Sequence, residues 1–533
     1  MNVVCGRDFG AVDLRRRNGA WRRWRGLAIA AALLSGCADP GAADQGPAPA
    51  AATPDTMIRI GFADVHKIYL EEPDIGQLSL ASLRSLRSIA PDLDIRADAR
   101  TIDLTAGGRS VASVARPRNA DLADWTTVTT TLVEAGRRAS PTLSEAADER
   151  VYDALFLGIA RQLDQYSRYS GAEMARENRA KRQGFGGIGV IVEPDAEGAR
   201  VVDIASGTPA ATVGLAIGDR IISIEGQPII GYSLQDIVDM LRGPVATTVQ
   251  LAVRRPNATG MQSFLVERAH IVPSTVTYAR QGGVAIIRLT GFNKRTAESV
   301  REIVEQARRE LGPGLEGLIL DLRDNPGGLL DQAVDVADLF LDNGRIISTE
   351  GRHPDSLQFF DARDGDIAKG VPIAVVVNGA TASAAEIVAA ALQDQNRAVV
   401  VGTTSFGKGT VQTVLRLPNN GELILTWARL HAPSGYALNR IGISPAVCTS
   451  VGEDAGGLLA AALAESDSTI HARLRQRRMA NGDDEAQRQA VKALCPWRPR
   501  NDETFDLTVA AGLLRNPAAY HRAIRLSAPS VDG

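Results

Sequence analysis

The spacing of apolar residues divides the chain into stretches of different period. Leu27–Leu34 is a short uninterrupted apolar run, well under the roughly 20 residues a membrane-spanning helix needs. Residues 38–56 hold Ala, Pro, Gly and Asp with almost no large apolar side chains, and cannot build a core. Between 57 and 182 apolar positions recur every three or four residues, notably over Leu78–Ile89 and Glu145–Leu163, which predicts a mainly helical region. Pro91 and the Gly107-Gly108 pair punctuate it, and residues 101–116 admit a strand.

From 184 to 270 the period shortens. A glycine-rich loop runs from Gly184 into a strand ending at Val192, with further strands predicted at Arg200–Ile204, Arg220–Ile224 and Thr248–Arg254. Ser206–Leu215 opens a short helix with Pro209 in its first turn, and Leu234–Leu241 is a short amphipathic helix. A small β-rich domain with two helices follows. Between 275 and 450 strands and helices alternate. Strands are predicted at Gly283–Leu289, Leu315–Leu322, Pro372–Val377, Ala398–Val401 and Leu423–Leu430. Helices are predicted at Ala297–Leu311, Leu330–Leu341 and Ser383–Gln395. Near-continuous apolar strands between helices argue for an α/β domain with a largely parallel sheet. After Cys448 the chain reads as helical and polar, with Pro496–Arg500 at the surface.

Composition adds a sorting signal. Hydrophobic residues make up 44% and charged residues 23% of 533, enough to bury a core. The formal net charge of −3 implies no nucleic-acid partner. Residues 1–36 carry seven Arg and two Asp; without them the net charge is −8. Arg15–Arg17, Arg22, Arg23 and Arg25 precede the apolar run, as in an export signal. Leu34-Ser35-Gly36-Cys37 resembles the lipobox of bacterial lipoproteins, which implies cleavage before Cys37 and lipid on its thiol. Ala38 after the cysteine favours the outer membrane over the inner. The expectation is a signal peptide over 1–36, a tether over 37–56 and a body facing the periplasm. Of four cysteines only Cys448 and Cys495 remain for pairing, and a bridge across that 47-residue step would stabilise by ~4 kcal/mol in the chain-entropy model. Two buried free thiols are the alternative.

Few histidines are present, and none sits in a recognisable ligand cluster, so neither a metal site nor a Ser-His-Asp triad has sequence support. That leaves the ends of the buried strands, where open α/β sheets place their sites. Asp321–Gly328 ends a strand in a turn whose glycines expose amides. Ser383 opens a helix, where a serine alone reads as a cap, although the helix N-terminus and the Ala384 amide also suit developing negative charge. Lys408 lies between glycines, where a lysine alone reads as solvated.

Taken together, Leu320–Asp331, Thr381–Ile387 and Phe406–Gln412, with 25 residues from Ser383 to Lys408, resemble the carboxy-terminal processing (tail-specific) serine peptidases over residues 160–450. That resemblance implies a crotonase/ClpP-like α/β peptidase core over 275–450. It implies Ser383 as nucleophile, Lys408 as general base and Gln412 as the residue orienting the lysine. The amides of Gly328 and Ala384 would form the oxyanion hole, with Gly327 adjacent to the first. A lysine base needs its pKa lowered from about 10.4, and an apolar wall can do this; Phe406 and Val411 are candidates for the wall. Residues 184–270 resemble an inserted PDZ domain through Gly186–Gly189, Ser206–Asp219 and Leu241–Pro244. Gly187, Ile188 and Gly189 would capture a C-terminal carboxylate, and Ile237 and Leu241 would face the peptide.

Gln165, Tyr166 and Ala385 depart from the family's usual Pro, His and second Ser, and Gly442–Ala446 lacks its usual Asp. The expected protein is a lipid-anchored serine endopeptidase acting near protein C-termini, with no cofactor and no metal. Its N-terminal region (57–182) is mainly helical, and 451–533 forms a helical extension. An adaptor lipoprotein is a further candidate partner that no residue singles out, and oligomeric state is not legible. The alternatives are a catalytically silent PDZ binding protein of the envelope and a thioester hydrolase on the same core.

Overall fold

The computed structural model describes residues 52–527 except 119–120, 257, 364, 451–453, 465–471, 473–474, 477–478 and 499–501. The signal segment, Cys37 and the tether up to residue 51 lie outside the described residues. Among the described residues no helix is long and apolar enough to cross a membrane.

The centre is a six-stranded sheet in the order Val276–Gln281, Val284–Leu289, Gly317–Asp321, Ile373–Val377, Ala398–Gly402, Val447–Cys448. The first pair is antiparallel and the rest parallel. Every residue of Gly317–Asp321, Ile373–Val377 and Ala398–Gly402 is buried, so both faces must be covered. Helices Thr296–Leu311, Leu330–Asp338 and Ala384–Asp394 cover one face through Val300, Val304, Val334, Ile387 and Val388. Helix Phe505–Leu514 covers the other, setting Val509, Leu513 and Leu514 against Ile319, Val376 and Val401. This corrects the expectation of a polar tail. Apart from Asp506 and Thr508 the helix is apolar, and each fully buried Val or Leu contributes about 1.5–3 kcal/mol.

A second sheet runs Gln358–Asp361, Arg345–Glu350, Glu422–His431, Thr410–Arg416, with Arg168–Ser170 paired to Glu422–His431. The N-terminal region packs on this sheet. Helices Pro54–Ile68, Ile75–Ser85, Leu122–Ala139 and Asp148–Ala160 share one core with Leu417, Leu423 and Leu425 of the Thr410–His431 hairpin. The strand expected within 101–116 is part of a three-stranded antiparallel sheet, Leu93–Ala97, Thr101–Ala106, Arg109–Ala115.

The β-rich domain has its own core around Val201, Ile221, Ile237 and Leu251. Its sheet order is Gln262–Glu267, Thr248–Arg254, Arg220–Ile224, Gly198–Ile204, Val190–Asp195, with Gln227–Pro228 beside Arg220–Ile224. The chain enters through Phe185–Gly187 and leaves through Ala269–Ile271, and these two segments pair with each other. That pairing explains how the domain is inserted without breaking the central α/β core. Helix Leu234–Leu241 starts at a capping box in which Ser233 and Asp236 each accept the other's backbone N–H. A disulfide joins Cys448, on the last sheet strand, to Cys495.

Candidate active site

Ser383 is the residue before helix Ala384–Asp394, with φ 58° and ψ −119°. A non-glycine residue there is strained by roughly 1–3 kcal/mol and is held by its surroundings. As a plain cap its hydroxyl would accept a helix N–H. Instead Ser383 Oγ is buried and finds no partner among the described residues. The capping bond runs the other way: the Ser383 N–H donates to the Glu386 carboxylate at 2.7 Å. The hydroxyl is thereby left unspent at the positive end of a helix.

Glu386 is fully buried and accepts three more hydrogen bonds. They come from the Gly407 N–H at 2.8 Å, the Lys408 N–H at 2.9 Å and the Ser405 hydroxyl. Burial pushes its carboxyl above the usual range, against the pull of those four donors. One carboxylate thus clamps the serine to the loop that carries the lysine. Phe406 N–H adds a bond to the Thr381 carbonyl at 2.9 Å. Glu386 lies inside a motif visible in the sequence, but nothing there separated it from a helical surface residue. Its burial separates it.

Lys408 is 6% exposed. Its glycine neighbours make that burial possible. An added Cβ at Gly407 would fall 2.8–2.9 Å from the backbone of Arg440–Gly442, and one at Gly409 only 2.0 Å from the Asn439 nitrogen. Burial lowers the lysine to about 8, helped by the nearby Arg168 cation and opposed by Glu386 and Asp164. Its Nζ sits 5.0 Å from the centre of the Tyr166 ring. Phe406, expected as a wall, is 48% exposed and lines an outer cavity instead; Val411 is buried in the core. Arg168 and Asp164 are neighbours that sequence reasoning missed, and Tyr166 stands out in the sequence only as a departure from the family's usual His, not as a neighbour of the lysine. They come from a strand entry more than 200 residues upstream, and only pairing of Arg168–Ser170 with Glu422–His431 brings them in.

Gln412 is fully buried. Its amide nitrogen donates to Thr410 and Thr426 hydroxyls at 3.0 and 3.2 Å, while its oxygen has no partner among the described residues.

The Asn325–Gly328 turn lies against the serine. A Cβ on Gly327 would sit 2.9 Å from Ser383 Cβ and from the Ala384 nitrogen, and one on Gly328 would collide with the Phe292 backbone. Both glycines have φ in the left-handed region, 100° and 154°. The Gly327 N–H is spent on the Asn325 side chain at 2.8 Å. No hydrogen bond from the Gly328 or Ala384 N–H is found among the described residues. The turn is tied to the serine loop by Ala382 N–H to Asn325 O at 2.9 Å and Thr381 Oγ1 to Leu322 O at 2.8 Å.

In the inserted domain, Gly187 and Ile188 are buried and Gly189 has φ 85° with Thr208 packed on it, so any side chain would clash. Ile237 is fully buried and Leu241 5% exposed, both packed in the domain core. The expectation that Ile237 faces a peptide is corrected. Leu234 is exposed and Val238 half-buried on the same helix, which packs beside the edge strand Val190–Asp195.

The comparisons agree with these two units. Peptidase family S41 matches residues 283–448, and a PDZ domain matches residues 200–255. The class defined is a serine-type peptidase with an inserted PDZ domain. A carboxy-terminal-processing protease of Bartonella bacilliformis is 40% identical over 300 residues, 56% of this chain and 69% of that protein. The carboxy-terminal processing protease CtpA of Bacillus subtilis is 31% identical over 303 residues, 56% of this chain and 64% of that protein. The chain belongs to the carboxy-terminal processing serine peptidase family. Among solved structures, a photosystem II D1 C-terminal processing protease aligns with a TM-score of 0.38 and 23% identity, covering 74% of this chain and 92% of that one.

Proposed function

We propose that the chain is an exported, lipid-anchored endopeptidase that cleaves protein substrates near their C-termini, with Ser383 as nucleophile and Lys408 as general base. The observation that carries this reading is that an unspent serine hydroxyl on a strained backbone and a buried lysine lowered to about 8 are held by one carboxylate, Glu386, which accepts the backbone N–H of both. A neutral lysine amine can accept a proton, and a serine needs such a base.

Ser383 Oγ attacks the scissile carbonyl carbon and its proton passes to Lys408 Nζ. The carbonyl oxygen, now negative, is held by the Gly328 and Ala384 N–H groups. Lys408 then gives the proton to the departing amine, leaving an ester on Ser383. Water, deprotonated by Lys408, cleaves that ester and restores the serine. The unpartnered Gln412 oxygen is available to hold the lysine in one orientation.

Ser383 is 0% exposed in this conformation, so catalysis requires opening. The PDZ domain is the lever in this reading. A substrate tail would add as a strand to the Val190–Asp195 edge, its carboxylate at Gly187–Gly189 and its last side chains on Leu234 and Val238. Arg176 of the helix leading into the domain bonds Asp239 of the PDZ helix at 3.0 Å, linking tail binding to the approach to the site. Export to the envelope rests on residues 1–37 and fits the disulfide, which oxidising compartments favour.

The test is casein degradation by the mature full chain and by Ser383→Ala. Loss of turnover with unchanged circular dichroism is expected. Turnover in Ser383→Ala equal to wild type would refute the assignment.

A further inference from the structure

The match to the peptidase family ends at residue 448, yet the chain beyond it returns to the site. The Cys495 carbonyl accepts from the Thr404 N–H at 3.1 Å, four residues before Lys408. Two residues on, the Trp497 ring lies on Gly379, four residues before Ser383. A Cβ at Gly379 would fall 2.5 Å from Trp497 Cγ. Gly379 is not among the residues with positive φ, so glycine is needed there for room and not for conformation. The Cys448–Cys495 disulfide fastens the segment to the sheet beside Gly402.

The same extension reaches the third loop of the site. The Arg323 guanidinium donates to the Glu503 carbonyl and lies 3.6 Å from the Asp506 carboxylate. The Asp324 N–H, in turn, donates to the Asn378 side chain at 3.1 Å, and Asn378 Nδ2 donates back to Asp324 at 2.9 Å.

We infer that Cys495–Trp497 is a disulfide-anchored strap that positions the Ser383 and Lys408 loops relative to each other, with Trp497 as its positioning residue. This rests on the Ser383–Lys408 reading above. Trp497 is 54% exposed, so it contributes little to the core and a fold requirement does not explain it. What it does contact is a loop whose displacement by about 1 Å can cost up to 10²-fold in rate.

The experiment measures kcat and KM on casein for the mature full chain and for Trp497→Ala, Trp497→Phe and Cys448→Ser/Cys495→Ser, with Ser383→Ala alongside. Trp497→Ala should lose ~10-fold or more in kcat with KM within about twofold and a nearly unchanged melting temperature. Trp497→Phe, which keeps a ring on Gly379, should recover most of the rate. The double cysteine variant should lose kcat in the same sense. Wild-type kcat in Trp497→Ala would overturn the strap, as would a loss matched by an equal loss of folded protein. A Trp497→Phe as slow as Trp497→Ala would overturn the ring contact. Activity surviving in Ser383→Ala would instead overturn the dyad reading, so the two failures are separable.

Discussion

If Lys408 is the base, the pH dependence of kcat/KM should follow its neutral form. With a pKa of about 8, roughly one lysine in ten is neutral at pH 7, against about one in 2,500 at the ordinary value near 10.4. The rate on casein, corrected with Ser383→Ala, should therefore rise tenfold per unit below pH 8 and level off by about pH 9. The cause can be probed separately. Burial is the largest factor, and the Arg168 cation is the next. Arg168→Gln removes a charge that disfavours the ammonium, so the midpoint should move up; a one-unit move would cost tenfold in rate at pH 7. Asp164→Asn removes a charge that favours the ammonium, so the midpoint should move down. A rate still climbing past pH 9.5 in the wild type would refute the burial argument. A downward move in Arg168→Gln would refute the electrostatic one.

The same depression has a stability consequence. Charged Lys408 is disfavoured in the folded state, so the cost is fully present below about pH 8 and is relieved as pH rises towards 10.5. Lys408→Met should remove activity yet stabilise the core at pH 7 by up to ~3 kcal/mol, read by urea unfolding, with the gain shrinking above pH 8. Ser383→Gly should likewise abolish turnover and stabilise by ~1 kcal/mol, because glycine accepts φ 58° without strain; a lower melting temperature would contradict this. Glu386→Gln turns an amide NH₂ against donors that now share a carboxylate. It should cost ~1–3 kcal/mol in stability and lower kcat more than it raises KM.

Much of the fold was legible because its strands are locally extreme. Leu315–Leu322 and Pro372–Val377 are apolar enough to hold strands buried on both faces, and the strands within them, Gly317–Asp321 and Ile373–Val377, are buried throughout. The PDZ helix Leu234–Leu241 was bounded correctly by its apolar period. The errors have a common origin. Ile237 and Phe406 are apolar residues whose direction depends on what packs beside them, and no local period supplies that. Phe505–Leu514 was taken into a polar tail because its neighbours in sequence are polar, whereas its neighbours in space are the second face of the sheet.

Sequence alone determined the motifs, their order and the serine–lysine step, since these are local strings carried by the chain itself. It did not determine which carboxylate joins them, what lowers the lysine or what braces the two loops. Glu386, burial with the Arg168 cation, and Cys495–Trp497 do those things from positions up to 240 residues from the lysine. Burial and proximity between such distant segments are properties of the closed fold, and the chemistry of Lys408 depends on both.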